Sequence, residues 1–225
     1  MQVQIGLIGG IGPAAQDYYC RQLIRLFAQA ERSLDMTIVH ADTPTLLANL
    51  ATDRRIEQAD IFANLADRLD RAGADFIGVT SIAGHFCRHE FAARSPLPVV
   101  DMIDAVAHDV AEHRFEKIGI LGTRTVMESR FYGGLASVDV ISPPGSALDD
   151  VHAAYVEMAK TGRATTAQRA IFHDAATHMI HASGAQAIML GGTDLALAFD
   201  AETCPFPLVD CAAIHARAIF KKAIG

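Results

Sequence analysis

Ser81 and His85 stand four positions apart in Thr80-Ser81-Ile82-Ala83-Gly84-His85, where an apolar run gives way to helical sequence. A serine hydroxyl acts as a nucleophile or proton donor when a neighbouring base takes its proton, and imidazole is well suited to that task near neutral pH. The spacing lets both side chains reach one site. The bland alternative is a small polar residue closing a buried strand, with a histidine that bonds to the core. A second polar pair, Thr193-Asp194, follows the apolar run Ala187 to Leu190. A carboxylate there could handle a proton, and the pair could also cap the next helix while walling a ligand site. Cys211 follows Asp210 at the end of a third apolar run, and is either a thiol within reach of a ligand or an inert buried cysteine. The catalytic candidates are Ser81, His85 and Asp194.

The elements that must position these residues are written twice. Ile5-Gly6-Leu7-Ile8-Gly9 recurs as Ile118-Gly119-Ile120-Leu121-Gly122. Gly73-Ala74-Asp75-Phe76-Ile77-Gly78-Val79 recurs as Gly184-Ala185-Gln186-Ala187-Ile188-Met189-Leu190, and Pro96-Leu97-Pro98-Val99-Val100-Asp101 as Pro205-Phe206-Pro207-Leu208-Val209-Asp210. Three blocks repeated in one order imply duplication. Between them, helical patterns such as Ile56 to Ala72 and Thr166 to Ala182 alternate with Val/Ile/Leu runs, the signature of βαβ units on parallel sheets. The expected fold is α/β: two pseudo-symmetric lobes, each a parallel sheet flanked by helices. They should span 1–98 and 99–211, with 212–225 forming a helix that packs back on the first lobe. Ligands of such sheets bind beyond the carboxyl ends of the strands, so the site is expected in an inter-lobe cleft lined by those ends.

Composition narrows the function. The 225 residues suffice for two lobes of about 100 each. A net charge of -7 without a dense Lys/Arg cluster argues against nucleic acid. No apolar stretch approaches the roughly 18 to 20 residues of a membrane span, and the N-terminal sequence runs directly into a strand, so a cytoplasmic protein is expected. Cys20, Cys87, Cys204 and Cys211 lack metal-type or disulfide-framework spacing and read as reduced thiols, with no metal site. Gly10-Ile11-Gly12-Pro13 reads as a tight turn into a helix. The acidic partner of a dinucleotide motif is not found on a second strand, so no cofactor is expected.

Gly9-Gly10-Ile11-Gly12-Pro13 resembles the opening Gly-Gly-Met-Gly-Pro of the aspartate/glutamate (Asp/Glu/hydantoin) racemase family. The resemblance runs through nearly the whole chain. Ile118 to Arg124, with Met127-Glu128-Ser129-Arg130-Phe131-Tyr132, is similar to that family's second-lobe opening. Leu190-Gly191-Gly192-Thr193-Asp194-Leu195 resembles Leu-Gly-Cys-Thr-Glu-Leu, and Thr80 to His85 takes the place of Pro-Cys-Asn-Thr-Ala-His.

The family's chemistry uses two cysteines, one removing and one returning the Cα proton of an amino acid without a cofactor. Carried over by position, they fall on Ser81 and Gly192, so the resemblance implies a divergent member lacking both. The Asn-Thr that helps hold the substrate carboxylate becomes Ile82-Ala83, and a threonine of the second-lobe loop becomes Val126. The same correspondence assigns ligand-binding places to Gly10, Gly12, His40, Asp42, Ile82, Ala83, Thr123, Gly192, Thr193 and His215, and Cys211 joins them by its place at the end of the last apolar run. It implies a homodimer acting on a small carboxylate or amino-acid-like ligand through cofactor-independent proton transfer. Two alternatives stay open: a one-sided lyase, decarboxylase or isomerase that uses Ser81 and His85, or a catalytically silent ligand-binding homologue.

Overall fold

Every residue of β1 (Gln4–Gly9) beyond Gln4 is buried, and a strand apolar on both faces needs cover on both. A computed structural model describes residues 3–10 and 13–225 of the chain. Its first sheet is built from β1, β2 (Asp35–His40), β3 (Phe76–Val79) and β4 (Val99–Val100), all parallel, in the order β2-β1-β3-β4. The register pairs Ile5 with both Met36 and Phe76, and Ile77 with Val99. The helices are α1 (Pro13–Gln29), α2 (Thr43–Ala51), α3 (Arg55–Arg71) and the short α4 (Arg88–Ala92). Phe62, Ala66 and Leu69 form the buried stripe of α3, which packs on β1.

After α5 (Met102–His113), the second sheet repeats the first. Strands β5 (Lys117–Gly122), β6 (Asp139–Ile141), β7 (Ala187–Gly191) and β8 (Leu208–Asp210) run parallel in the order β6-β5-β7-β8, the same topology as before. Its helices are α6 (Arg124–Glu128), α7 (Ala147–Thr161), α8 (Thr166–His181) and, at the end, α9 (Cys211–Ile224). Two equivalent glycines show how deep the duplication runs. A Cβ on Gly6 would meet Ile77 at 2.8 Å and Leu69 of α3 at 3.1 Å, and one on Gly119 would meet Ile188 at 2.8 Å and Met179 of α8 at 2.9 Å. Each central strand gives up a side chain so that a helix can lie close.

The α/β fold with two parallel sheets flanked by helices is therefore as the sequence leads one to expect. The contacts divide the chain into a unit of residues 1–105 with 212–225, and a unit of residues 106–211. The division falls inside α5 rather than ahead of Val99, because β4 hydrogen-bonds to β3 and so belongs to the first sheet.

Candidate functional site

At the end of β3 the backbone is pinned first. The Thr80 N–H and hydroxyl both donate to the Ile8 carbonyl, at 3.0 and 3.3 Å. Ser81 and Ile82 are buried, and a 3-10 turn over Ala83–Cys87 follows. That turn curls the chain so that the His85 ring lies under the Ser81 carbonyl. Nδ1 donates to this oxygen at 2.7 Å, and Nε2 accepts the Met102 N–H at 3.2 Å. A carbonyl can only accept and an amide can only donate, so these partners fix a neutral ring with its proton on Nδ1. Burial pushes the His85 pKa down, against the opposing pull of Asp101. The expected Ser81 to His85 link is present through the backbone oxygen and not through the hydroxyl. In this arrangement neither ring nitrogen is available to take the hydroxyl proton.

A second histidine completes this region of the first unit. His215 on α9 is fully buried; its Nε2 donates to the Val100 carbonyl and its Nδ1 accepts the Tyr19 hydroxyl, both at 2.8 Å. Burial first, and then His85, lowers its pKa to about 3. The two imidazoles meet edge to face, 6.0 Å between centroids. Between β4 and α5, Asp101 accepts the Ile103 and Asp104 N–H groups at 2.7 and 3.1 Å and pairs with Arg88 at 3.0 Å. Burial raises the Asp101 carboxyl, but His85, Arg88 and the amide bonds outweigh it and leave it below the usual carboxylate range. The ends of β3 and β4 are thus tied by side chains rather than left as open loops.

The other first-unit candidates are placed as follows. Gly10 has φ +94, and a Cβ there would run into His40 Nδ1 and lie 2.7 Å from the Ala41 carbonyl, so only glycine fits. His40 and Asp42 are exposed. Asp42 caps α2, accepting the Thr45 N–H at 2.9 Å and its hydroxyl at 2.5 Å. Thr43 donates its hydroxyl to the Gly10 carbonyl at 2.6 Å, which joins this loop to the β1 turn. Ala83 is half-buried, and Gly12 lies outside the described residues.

In the second unit the corresponding place is the end of β7. Gly192 has an extended backbone, φ -148 and ψ 126, which any residue can adopt. What requires glycine is the Tyr155 ring from α7: a Cβ on residue 192 would collide with its Cε2 and lie 2.5 Å from Cζ and 2.7 Å from the hydroxyl oxygen. The Tyr155 hydroxyl donates to Asp194 at 3.2 Å, and both residues are buried. Burial and then the Asp194 charge hold the phenol well above its ordinary pKa, so it stays protonated. The 3-10 turn Thr193–Leu197 begins after Gly192 without a side-chain cap. Thr193 and Asp194 therefore do not cap it: Asp194 is turned to Tyr155 instead.

Thr123 caps α6 through the Val126 N–H at 3.4 Å, while Arg124 bonds Glu128 at 2.9 Å and also pairs with Asp149. Past α6, Arg130, Phe131 and Tyr132 take φ of 50, 59 and 55. Three successive side-chain-bearing residues in the left-handed region cost on the order of 1 to 3 kcal/mol each. The buried Phe131 side chain and the Tyr132 N–H bond to Ser129 Oγ at 3.0 Å hold them there. Cys211 is fully buried and its thiol is pushed well above the ordinary value by burial; burial likewise pushes Cys87 up to about 12. Neither supplies a thiolate at neutral pH.

Sequence reasoning missed Tyr155, Tyr19 and the backbone partners of the two histidines. The hint for Tyr155 was the glycine at 192: an extended, buried residue without a side chain leaves a space that something else must fill. Among the described residues no group of three or more His, Cys, Asp or Glu is placed to hold a metal, and no helix is long and apolar enough to cross a membrane.

The sequence model of the Asp/Glu/hydantoin racemase family matches residues 8–219. Among solved structures, a Yersinia pestis protein provisionally assigned as an Asp/Glu racemase is similar at 27% identity and a TM-score of 0.86, covering 99% of this chain and 100% of that one. An aspartate racemase homologue from Pyrococcus horikoshii aligns over 100% of both chains, with 24% identity and a TM-score of 0.84. A glutamate racemase from Francisella tularensis, in complex with D-glutamate, shares the fold at 17% identity and a TM-score of 0.70, over 99% of this chain and 81% of that one. With the duplicated four-stranded topology and the match from residue 8 to residue 219, this chain belongs to the Asp/Glu/hydantoin racemase family.

Proposed function

We propose that the protein binds a small carboxylate or amino-acid-like molecule and moves a proton on it without a cofactor and without a pair of thiolates. The observation that carries this reading is the chemistry of the two equivalent strand ends. Ser81 stands at one and Gly192 at the other, where the family's proton-transferring cysteines would fall, and the buried thiols of Cys87 and Cys211 are protonated. Two-sided thiol exchange lacks its thiols, which leaves hydroxyl and carboxyl groups to hold the ligand and handle one proton. A second reading, a homologue that binds without turnover, draws support from His85: both its nitrogens are bonded to backbone, so Ser81 has no base on this histidine.

The test is proton NMR of L- and D-aspartate and L- and D-glutamate in deuterated water, alongside thermal melting with the same compounds and succinate. The expected result is a raised melting temperature with at least one of them, and Cα exchange well below the 1 to 10³ per second at which enzymes commonly run. Rapid exchange that Cys211→Ala abolishes would overturn the thiol-free chemistry. Failure of every compound to stabilise the protein would overturn the carboxylate ligand. Turnover of any stabilising compound separates the enzyme from the silent binder.

A further inference from the structure

Gln58 is 1% exposed and Asn49 8%, uncommon depths for two side-chain amides. One bond joins them across α2 and α3, with Asn49 Nδ2 donating to Gln58 Oε1 at 3.0 Å. An amide carries two N–H donors and a carbonyl, so a single bond leaves much of the pair unused. Among the described residues the NH2 group of Gln58 and the side-chain carbonyl of Asn49 have no hydrogen-bond partner. Exchanging oxygen and nitrogen in both amides swaps the owners and still leaves one donor group and one acceptor. These atoms keep some solvent contact rather than lying sealed. The pair also lies on the carboxyl side of the first sheet. The far end of α3 is beside the start of β1, where a Cβ on Gly73 would meet Gln4 at 2.8 Å, so the first turn of α3, which holds Gln58, is at the opposite end. One turn further on, Phe62 comes within 3.2 Å of a Cβ placed on Gly84, in the 3-10 turn that carries His85, and α2 packs on that same turn. Tying two helices together needs only the bond already made, and buried polar groups left over call for a partner.

We propose that the Asn49–Gln58 pair is a recognition edge of the first unit and selects a ligand that carries a neutral carboxamide beside its carboxylate. The free NH2 group donates to the ligand's amide carbonyl, and the free carbonyl accepts the ligand's amide N–H. A second carboxylate in that place has only acceptors and would set one of them against the pair's own carbonyl; an ammonium group has only donors and would meet the pair's NH2. A carboxamide presents both functions on one edge and satisfies both. This rests on the reading of the ligand as a small carboxylate and names the group it carries in addition: the ligand class is the monoamide of a small dicarboxylic acid.

Two measurements test it. The first is calorimetric titration with succinamate and succinate, which share a skeleton and differ in one carboxamide. Succinamate is expected to bind about tenfold or more tighter than succinate, a gap the size of one net hydrogen bond. Gln58→Met, similar in length but without the amide, should bring the two affinities within about twofold of each other while leaving succinate binding unchanged. Succinate binding as tightly as succinamate, or a preference that survives Gln58→Met, overturns the selecting role. The second measurement uses the unaltered protein and so holds even if Gln58→Met fails to fold. The side-chain NH2 signals of Asn49 and Gln58, assigned by through-bond correlation in ¹⁵N NMR, are followed during titration with propionamide, which has the amide and no carboxylate. Both signals are expected to shift saturably. An amide pair that only ties α2 to α3 leaves them unmoved, and unmoved signals overturn the proposal whatever the calorimetry gives. If neither succinamate nor succinate binds, the small-carboxylate reading fails, and the propionamide titration still decides whether the pair receives an amide.

Discussion

His85 and His215 show how far residue type misleads when bonding partners are unknown. By sequence they look like one catalytic and one ligand-binding histidine; in the fold each is neutral, buried and bonded at both nitrogens. The energetic consequence is a pH dependence of stability. His215 titrates at about 3 in the folded protein against 6.5 when unperturbed. Between those values the unfolded chain binds the extra proton, so this contribution is complete above pH 6.5 and is lost as the pH falls toward 3. His85 is shifted in the same direction, by burial, with Asp101 opposing. Urea melts at pH 7.5, 6.0 and 5.0 should show stability falling below pH 6.5 by roughly 1 kcal/mol or more per unit. His215→Gln should flatten that slope even though it lowers stability at pH 7.5. An unchanged slope would mean the imidazole is protonated in the folded state.

At the scale of elements, caps and turns were the most legible features and their owners the least. Asp42 and Thr123, read as ligand contacts, are the N-caps of α2 and α6; Thr193 and Asp194, read as caps, are not. Asx and Thr side chains serve both purposes with the same atoms, so only the neighbouring backbone tells which is in use. The clearest cap lies outside the candidate site. Thr165 and Gln168 form a reciprocal capping box at the start of α8, with Thr165 accepting the Gln168 N–H at 3.2 Å and Gln168 accepting the Thr165 N–H at 2.8 Å. Thr165→Ala should cost about 1 kcal/mol in denaturant melts. It should leave ligand-induced stabilisation untouched, which makes it a control for variants at the β3 and β7 ends.

For the whole molecule, α9 crosses from one unit to the other: Cys211 groups with the second and residues 212–225 with the first. Its Ile214, His215, Ala216 and Ile219 are buried, and a Cβ on Gly78 of β3 would meet Ile219 at 2.8 Å. A chain ending at Cys211 is therefore expected to lose hydrogen-exchange protection in β1 and β3 while β5 and β7 keep theirs. Equal loss in both sheets, or none, would contradict the division. Hydrophobic periodicity and the three repeated blocks determined by themselves the α/β class and the duplicated topology, because those depend on which residues must be buried, a property written along the chain; the family followed from the resemblance of the strand-end motifs. Bonding at the strand ends was decided only by the tertiary structure. The Ser81 carbonyl meets His85 because a 3-10 turn folds back, and Tyr155 reaches Gly192 from a helix 37 positions earlier in the sequence, a closeness created by packing that spacing along the chain does not encode.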